Sequence, residues 1–144
     1  MARLKSVKHS VAVLIEEPQC EEGSILAVKR PSDDPELPGI WGLPAATLRA
    51  GESWEDAVRR VGSEKLGIVL QPSEELQEGT QERPGYLLHM KLYGARIGRG
   101  SPRLRRAGGH VTQYSDWKWA QPDELEEGAL QGSLCCKLVL TSPA

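Results

Sequence analysis

The segment 41–68, WGLPAATLRAGESWEDAVRRVGSEKLGI, constrains the fold of this chain more than any other. Ser53 followed three residues later by Asp56 is a variant of the capping box, in which side chains satisfy free backbone N–H groups at a helix start. Trp54, Ala57, Val58, Val61 and Leu66 then recur at helical spacing, predicting a helix over 53–67 with one apolar face. Gly62 interrupts it at a cost of about 1 kcal/mol relative to alanine, and Gly67 suits a C-terminal stop. Such a face needs another layer to cover it.

That layer is predicted to be a sheet. SVAVLIE (10–16) and ILAVKR (25–30) are rich in β-branched and aliphatic residues and read as strands. PSDDPELPGI (31–40), with three prolines and a glycine, reads as a loop. One short strand is expected within 68–82 and a longer one over 86–97. A basic, Gly-rich loop at 98–109 precedes a strand at 115–120, a short turn at 122–126 and a C-terminal helix within 129–140. Strands with an inserted helix and a closing helix predict an α/β fold, a mixed sheet with helices on its faces.

At 144 residues, with no linker or internal repeat, the chain is expected to be one domain over 1–144. A net charge of −2 does not suit a strongly basic nucleic-acid binder, so nucleic acid is not the expected partner. Cys20, Cys135 and Cys136 are an odd set without a CxxC spacing, which argues against a disulfide framework and a zinc site. Buried packing on the last helix suits Cys135 and Cys136 better than a redox or nucleophilic pair. The apolar run from Val11 to Ile15 is too short for a signal-peptide core, and no stretch reaches the roughly 18 apolar residues of a membrane span. No membrane partner and a cytoplasmic location are therefore expected.

The segment 41–68 resembles the Nudix box, whose pattern is Gly-x5-Glu-x7-Arg-Glu-U-x-Glu-Glu-x-Gly-U, with U a bulky aliphatic residue. Trp41, Leu43 and Pro44 supply the approach, Gly51 and Glu52 the Gly-Glu step, Arg60 the arginine, Glu64 one late glutamate, and Gly67 with Ile68 the exit. Five residues separate Ala46 from Glu52, and seven separate Glu52 from Arg60, as the pattern requires. The resemblance spans roughly 10–139 and implies a Nudix-type α/β/α sandwich. It also implies hydrolysis of a pyrophosphate bond in a nucleoside diphosphate derivative with Mg²⁺ or Mn²⁺. Glu52, Arg60 and Gly67 would then keep the loop–helix–loop in shape.

The departures fall on the metal-binding half. Ala45 and Ala46 stand where the box opens with glycines, and Arg-Glu-U-x-Glu-Glu becomes Arg60-Val61-Gly62-Ser63-Glu64-Lys65. On an α-helix Val61, Glu64 and Lys65 share a face. Of the three carboxylates that the resemblance places there, only Glu64 remains. One carboxylate can hold a substrate-dependent Mg²⁺, but not the multi-metal cluster that activates water and clamps a leaving group. The plainer role for Glu64 is an i,i+4 pair with Arg60, and for Glu55 and Asp56 it is complementing the helix dipole.

Other candidates carry weaker signals. Asp116 is the nearest carboxylate beyond the box and a candidate catalytic helper, against the reading of a plain strand-edge aspartate; Gln113 is uncharged and cannot act as a base. Arg30 ends a strand from which its planar fork can grip phosphate. Arg103, Arg105 and Arg106 form a basic cluster able to close over an anion, or a solvated loop. Trp41, Trp119 and Tyr86 are candidates for stacking on a base, with packing as the default. His89 and His110 have no metal-ligand spacing to a partner and read as structural, and Glu16 and Glu17 as turn residues.

Two functions follow. In the first, a hydrolase, Glu64 is a metal ligand, Asp116 a helper and Arg30 a phosphate clamp, with activity expected to be weak or atypical. In the second, a Nudix-fold module binds a phosphorylated ligand, and Lys65, standing where a carboxylate should be, repels metal and attracts the ligand. A partner docked on the 103–106 loop is a third, weaker possibility. The expected partner is a small nucleotide-type molecule, with a homodimer possible.

Overall fold

The computed structural model describes residues 6–18, 23–104 and 114–142. Strand β1 (Ser6–Ile15) sorts its side chains by parity, as a period of two requires. Val11, Val13 and Ile15 enter one apolar cluster, and Ala12 enters a second on the opposite face. Strand β2 (Ile25–Lys29) does the same, with Leu26 and Val28 on the first side and Ile25 and Ala27 on the second. Both faces of the strand layer are therefore covered.

Helix α1 (Trp54–Arg60) and the π-helical turn Val61–Leu66 cover the first face through Ala57, Val58, Val61 and Leu66. The second face is covered by the C-terminal part. A 3₁₀ turn (Pro122–Leu125) leads into α2 (Glu126–Leu130) and α3 (Leu134–Thr141), and Leu134, Cys135, Cys136 and Leu138 fill the second cluster. The architecture is the α/β/α sandwich that the sequence predicts. Cys135 and Cys136 are buried on its last helix.

The strands form two sheets. One has the order β4-β1-β6-β5, where β4 is Ala45–Thr47, β5 is Val69–Arg83 and β6 is Tyr86–Arg99. β1 and β6 run parallel, with Ser6 opposite Tyr86 and Ile15 opposite Ala95; the other pairings are antiparallel. The second sheet has the order β3-β2-β7, with β3 at Trp41–Gly42 and β7 at Asp116–Ala120. Among the described residues no helix is long and apolar enough to cross a membrane.

The structure departs from the sequence reading in three elements. β5 is fifteen residues long, not one short strand, and forms a hairpin with β6. Its register shifts at Val69/Leu70, Pro72/Glu75 and Glu75/Gln77 break the two-residue period by which a strand is recognised. β1 extends back at least to Ser6, the first described residue, because its exposed residues ahead of Ser10 also pair with β6. The helix expected over 53–67 is α-helical only to Arg60. Ser53 caps it, accepting the Asp56 N–H at 3.1 Å, and Gly67 ends the π turn in the left-handed conformation at φ 64°.

Gly62 is more than a weak point in that helix. A Cβ there would stand 2.7 Å from Leu70 Cγ and 2.8 Å from the Ile68 carbonyl, so the return of the chain into β5 demands glycine. Its carbonyl accepts the N–H groups of both Gly67 and Ile68.

Candidate ligand cleft

The loop before α1 is tied to its last turn by one part-buried ion pair. Arg60 donates from Nε to Glu52 Oε2 at 2.8 Å and from Nη2 to Glu52 Oε1 at 2.9 Å, and it also reaches the Thr47 carbonyl at 2.8 Å. Glu52 in turn accepts the Arg49 N–H at 3.0 Å. The Arg60 hydrogen bonds hold the Glu52 carboxyl below its ordinary range, and Glu52 raises Arg60 in return. These contacts join β4, the loop and α1 into one unit.

The π turn then decides where the next side chains go. Bonding from i to i+5 puts more than four residues in a turn, so Val61 and Lys65 nearly eclipse and Glu64 swings to another side. Burial follows: Val61 is fully buried, Lys65 is 8% exposed, and the Glu64 side chain is 31% exposed. The shared face expected for these three on an α-helix is therefore not formed. The Lys65 ammonium donates to the Ala45 carbonyl and lies 3.4 Å from the Tyr114 hydroxyl, 5.3 Å from that ring's centre. Tyr114 also accepts the Ala45 N–H at 3.0 Å.

Ala45 and Thr47 of β4 open onto a cleft of about 350 Å³. Its floor comes from strand residues two apart: Lys8 and Ser10 of β1, and Tyr86, Leu88 and Met90 of β6. Six cationic side chains line it, Lys8, Arg30, Arg49, Arg60, Lys65 and Arg83, against one carboxylate, Glu36. A smaller inner cavity of about 40 Å³ adjoins it, bounded by Arg30, Lys65, Tyr114, Ser133 and Cys135.

Most of these cations have carboxylate partners. Arg30 pairs with Asp34 at 3.2 Å, Arg49 with Glu64 at 3.0 Å, and Arg83 with Glu36. Burial works to raise the Asp34 carboxyl, but the N–H groups of Leu37 and Glu36 and the charge on Arg30 bring it below its ordinary value. Burial and Glu36 raise the Tyr86 phenol, which donates to Glu36 at 3.3 Å. The Cys135 thiol is lowered by a hydrogen bond from Cys136, with Ser133 and Arg30 assisting against burial.

Of the residues singled out from the sequence, Arg30, Lys65, Arg60 and Tyr86 line the cleft. Glu64 stands beside it, both its oxygens engaged by Arg49 Nη2 at 3.0 and 3.2 Å, with Arg60 at 3.9 Å. Asp116 is at the exposed start of β7, opposite Lys29, with its carboxylate on the Trp117 N–H at 2.8 Å. The Trp41 ring meets Lys118 at 4.4 Å and Lys29 at 6.0 Å, and Trp119 packs edge-on against Trp117. His89 belongs to a separate surface group with His9, Trp54 and Glu78. Cys20, Arg105, Arg106, His110 and Gln113 lie outside the described residues.

Lys8, Arg49, Arg83 and Tyr114 were not legible as site residues. Arg49 is one of many surface-type arginines, and Lys8 and Arg83 reach the cleft only through the β1–β6–β5 register. The alternation Lys8, Ser10, Ala12 on one strand face was the signal available for Lys8.

Comparison with known proteins gives these observations a class. The NUDIX domain family matches residues 8–134, so the chain belongs to the Nudix family. Its fold is shared with a MutT NUDIX hydrolase from Burkholderia pseudomallei, at 26% identity and a TM-score of 0.67, covering 83% of this chain and 86% of that one. It is also shared with the E. coli ORF135 protein (21% identity, TM-score 0.69, 94% and 88% covered) and with a MutT protein from Methanosarcina mazei Go1 (19%, 0.69, 85% and 83%). No curated protein matches the chain.

Nudix hydrolases generally use a divalent cation, and the box side chains among the described residues do not fit one. Among the described residues no three His, Cys, Asp or Glu side chains gather to hold a metal. Val61 offers no ligand, Lys65 brings a positive charge, and Glu64 is already held by arginine. Mg²⁺ demands oxygen ligands, and here Glu64, the one late glutamate of the box, would first have to leave Arg49.

Proposed function

We propose that the chain binds a pyrophosphate-containing nucleotide derivative in this cleft and turns it over slowly. The observation that carries the reading is the wall of six cationic side chains around a single carboxylate. Arginine and lysine in a concave site recognise phosphate by charge-assisted hydrogen bonds, arginine often in a forked pair. The phosphates sit against Arg30, Arg49 and Lys65, while Tyr86, Leu88 and Met90 offer an apolar and aromatic wall for the rest of the molecule.

Slow turnover follows from the acidic groups. Glu64, the candidate metal ligand and catalytic carboxylate, faces arginine, and Asp116, the candidate helper, lies outside the cleft wall. No carboxylate free of an arginine lines the cleft among the described residues. Family membership favours the fuller enzymatic reading, in which Glu64 leaves Arg49 and binds Mg²⁺ or Mn²⁺ with the substrate.

A screen over nucleotide sugars, dinucleotides and nucleoside di- and triphosphates, with and without Mn²⁺, tests this. Thermal stabilisation by at least one compound, with formation of the two phosphorylated cleavage products near background by chromatography, is the expected outcome. Hydrolysis at an ordinary enzymatic rate, about 1 s⁻¹ or faster, would refute slow turnover, and the absence of stabilisation by every compound would refute the binding reading.

A further inference from the structure

Lys65 poses a problem that the fold alone does not answer. It is 8% exposed, yet among the described residues its partners are neutral, the Ala45 carbonyl and the Tyr114 hydroxyl. Burying a charge without an opposite charge is costly. The other buried-end cation, Arg60, has Glu52, and Arg49 has Glu64. An ammonium also carries three donors, of which these contacts use two. Lys65 borders both the cleft and the inner cavity beside Arg30, so the missing counter-charge has an open route to it.

Its position sharpens the point. Of the π-turn residues, Val61 is packed into the core and Glu64 is turned to Arg49, so only Lys65 lines the cleft, offering an ammonium in place of a carboxylate. A divalent cation brought there meets repulsion from Lys65, Arg49 and Arg60, and among the described residues lining or flanking the cleft every carboxylate is already bonded to an arginine. A phosphate meets the reverse.

We propose that Lys65, with Arg30 and Arg49, takes the place of the divalent cation in holding the ligand's phosphates, so that this Nudix cleft binds nucleoside diphosphates without metal. The proposal rests on the reading of the cleft as a nucleotide site, and it adds what supplies the positive charge. Mg²⁺ does not help such binding. It competes instead, because a chelated diphosphate presents less charge to the lysine and arginines.

The test is calorimetric titration of the full chain with ADP, in excess EDTA and again in millimolar MgCl₂. Binding in EDTA as tight as in Mg²⁺, or tighter, is expected. Lys65→Met, which keeps the length of the side chain and removes its charge, should weaken binding in EDTA by about tenfold or more. Lys65→Glu, which puts a carboxylate at the cleft, should reverse the dependence and bind ADP only with Mg²⁺. Circular dichroism of each variant establishes that it is folded, and Lys65→Arg, which keeps the charge, should retain most of the affinity.

Native binding that needs Mg²⁺ would overturn the metal-free proposal and leave the nucleotide reading standing. ADP binding that survives Lys65→Met undiminished in a folded protein would overturn it too. Failure of ADP and of every compound in the screen to bind in either buffer would remove the nucleotide reading and this proposal with it.

Discussion

Replacing Arg60 by methionine tests how the cleft is held open to its ligand. Arg60 and Glu52 are each 13% exposed at the side chain and share two hydrogen bonds of 2.8 and 2.9 Å. Arg60 also supports the Thr47 carbonyl at the end of β4. Removing it strands the Glu52 carboxylate with one backbone donor, the Arg49 N–H. Breaking a buried pair from one side costs about 3–5 kcal/mol, and the remaining donor and partial exposure place this one near about 3 kcal/mol. For a urea slope of roughly 1.5 kcal/mol/M, the midpoint should fall by about 2 M. Glu52→Gln should cost less, about 1–2 kcal/mol, because the amide oxygen still accepts. The double variant should then lose about 1–2 kcal/mol less than the two single losses added together. A midpoint for Arg60→Met within about 0.3 M of native, or strictly additive losses, would refute the view that this pair joins β4 to α1.

Three further outcomes follow from the same geometry. Gly62→Ala drives a methyl group against Leu70 and the Ile68 carbonyl, so urea unfolding should show a loss of about 1–3 kcal/mol; an unchanged midpoint would mean that the π turn yields freely. Because Arg60 holds the Glu52 carboxyl below its ordinary value, its stabilisation is present above the unfolded value near about pH 4.3 and is lost as pH falls through the lower folded value. The stability gap between native protein and Glu52→Gln should therefore close in strong acid, and a gap independent of pH contradicts that. Glu64→Gln should free Arg49, leaving ADP affinity in EDTA equal or tightened severalfold; a marked loss would assign Glu64 to ligand binding after all.

The fold was readable because its signals are local. The Ser53 cap, the apolar spacing of Ala57, Val58 and Val61, and Gly67 at positive φ are each decided by residues within a turn or two. β5 was hidden because its glutamates and glutamines lie on a sheet edge and its register shifts break the alternation. The cleft was half legible. Lys65 and Arg30 stand out as a charge reversal and a strand-end arginine, whereas Arg49 and Tyr114 join them only through tertiary contacts to Glu64 and Ala45. The π turn was hidden because Gly62 reads as a weak helix position until the return of Leu70 against it is seen. That turn is also why an α-helical wheel gives the wrong neighbours for Glu64.

Where a nucleotide lands tests the assignment of the cleft most directly. Titration of ¹⁵N-labelled protein with ADP in EDTA, followed by amide and side-chain shifts, distinguishes the cleft from the hollow behind α1 lined by Arg59, Ser63, Val69 and Pro72. Saturable changes are expected at Thr47, Arg49, Lys65 and Met90. Changes confined to Arg59, Ser63 and Val69, or a cleft that responds only after Mg²⁺ is added, would contradict that assignment.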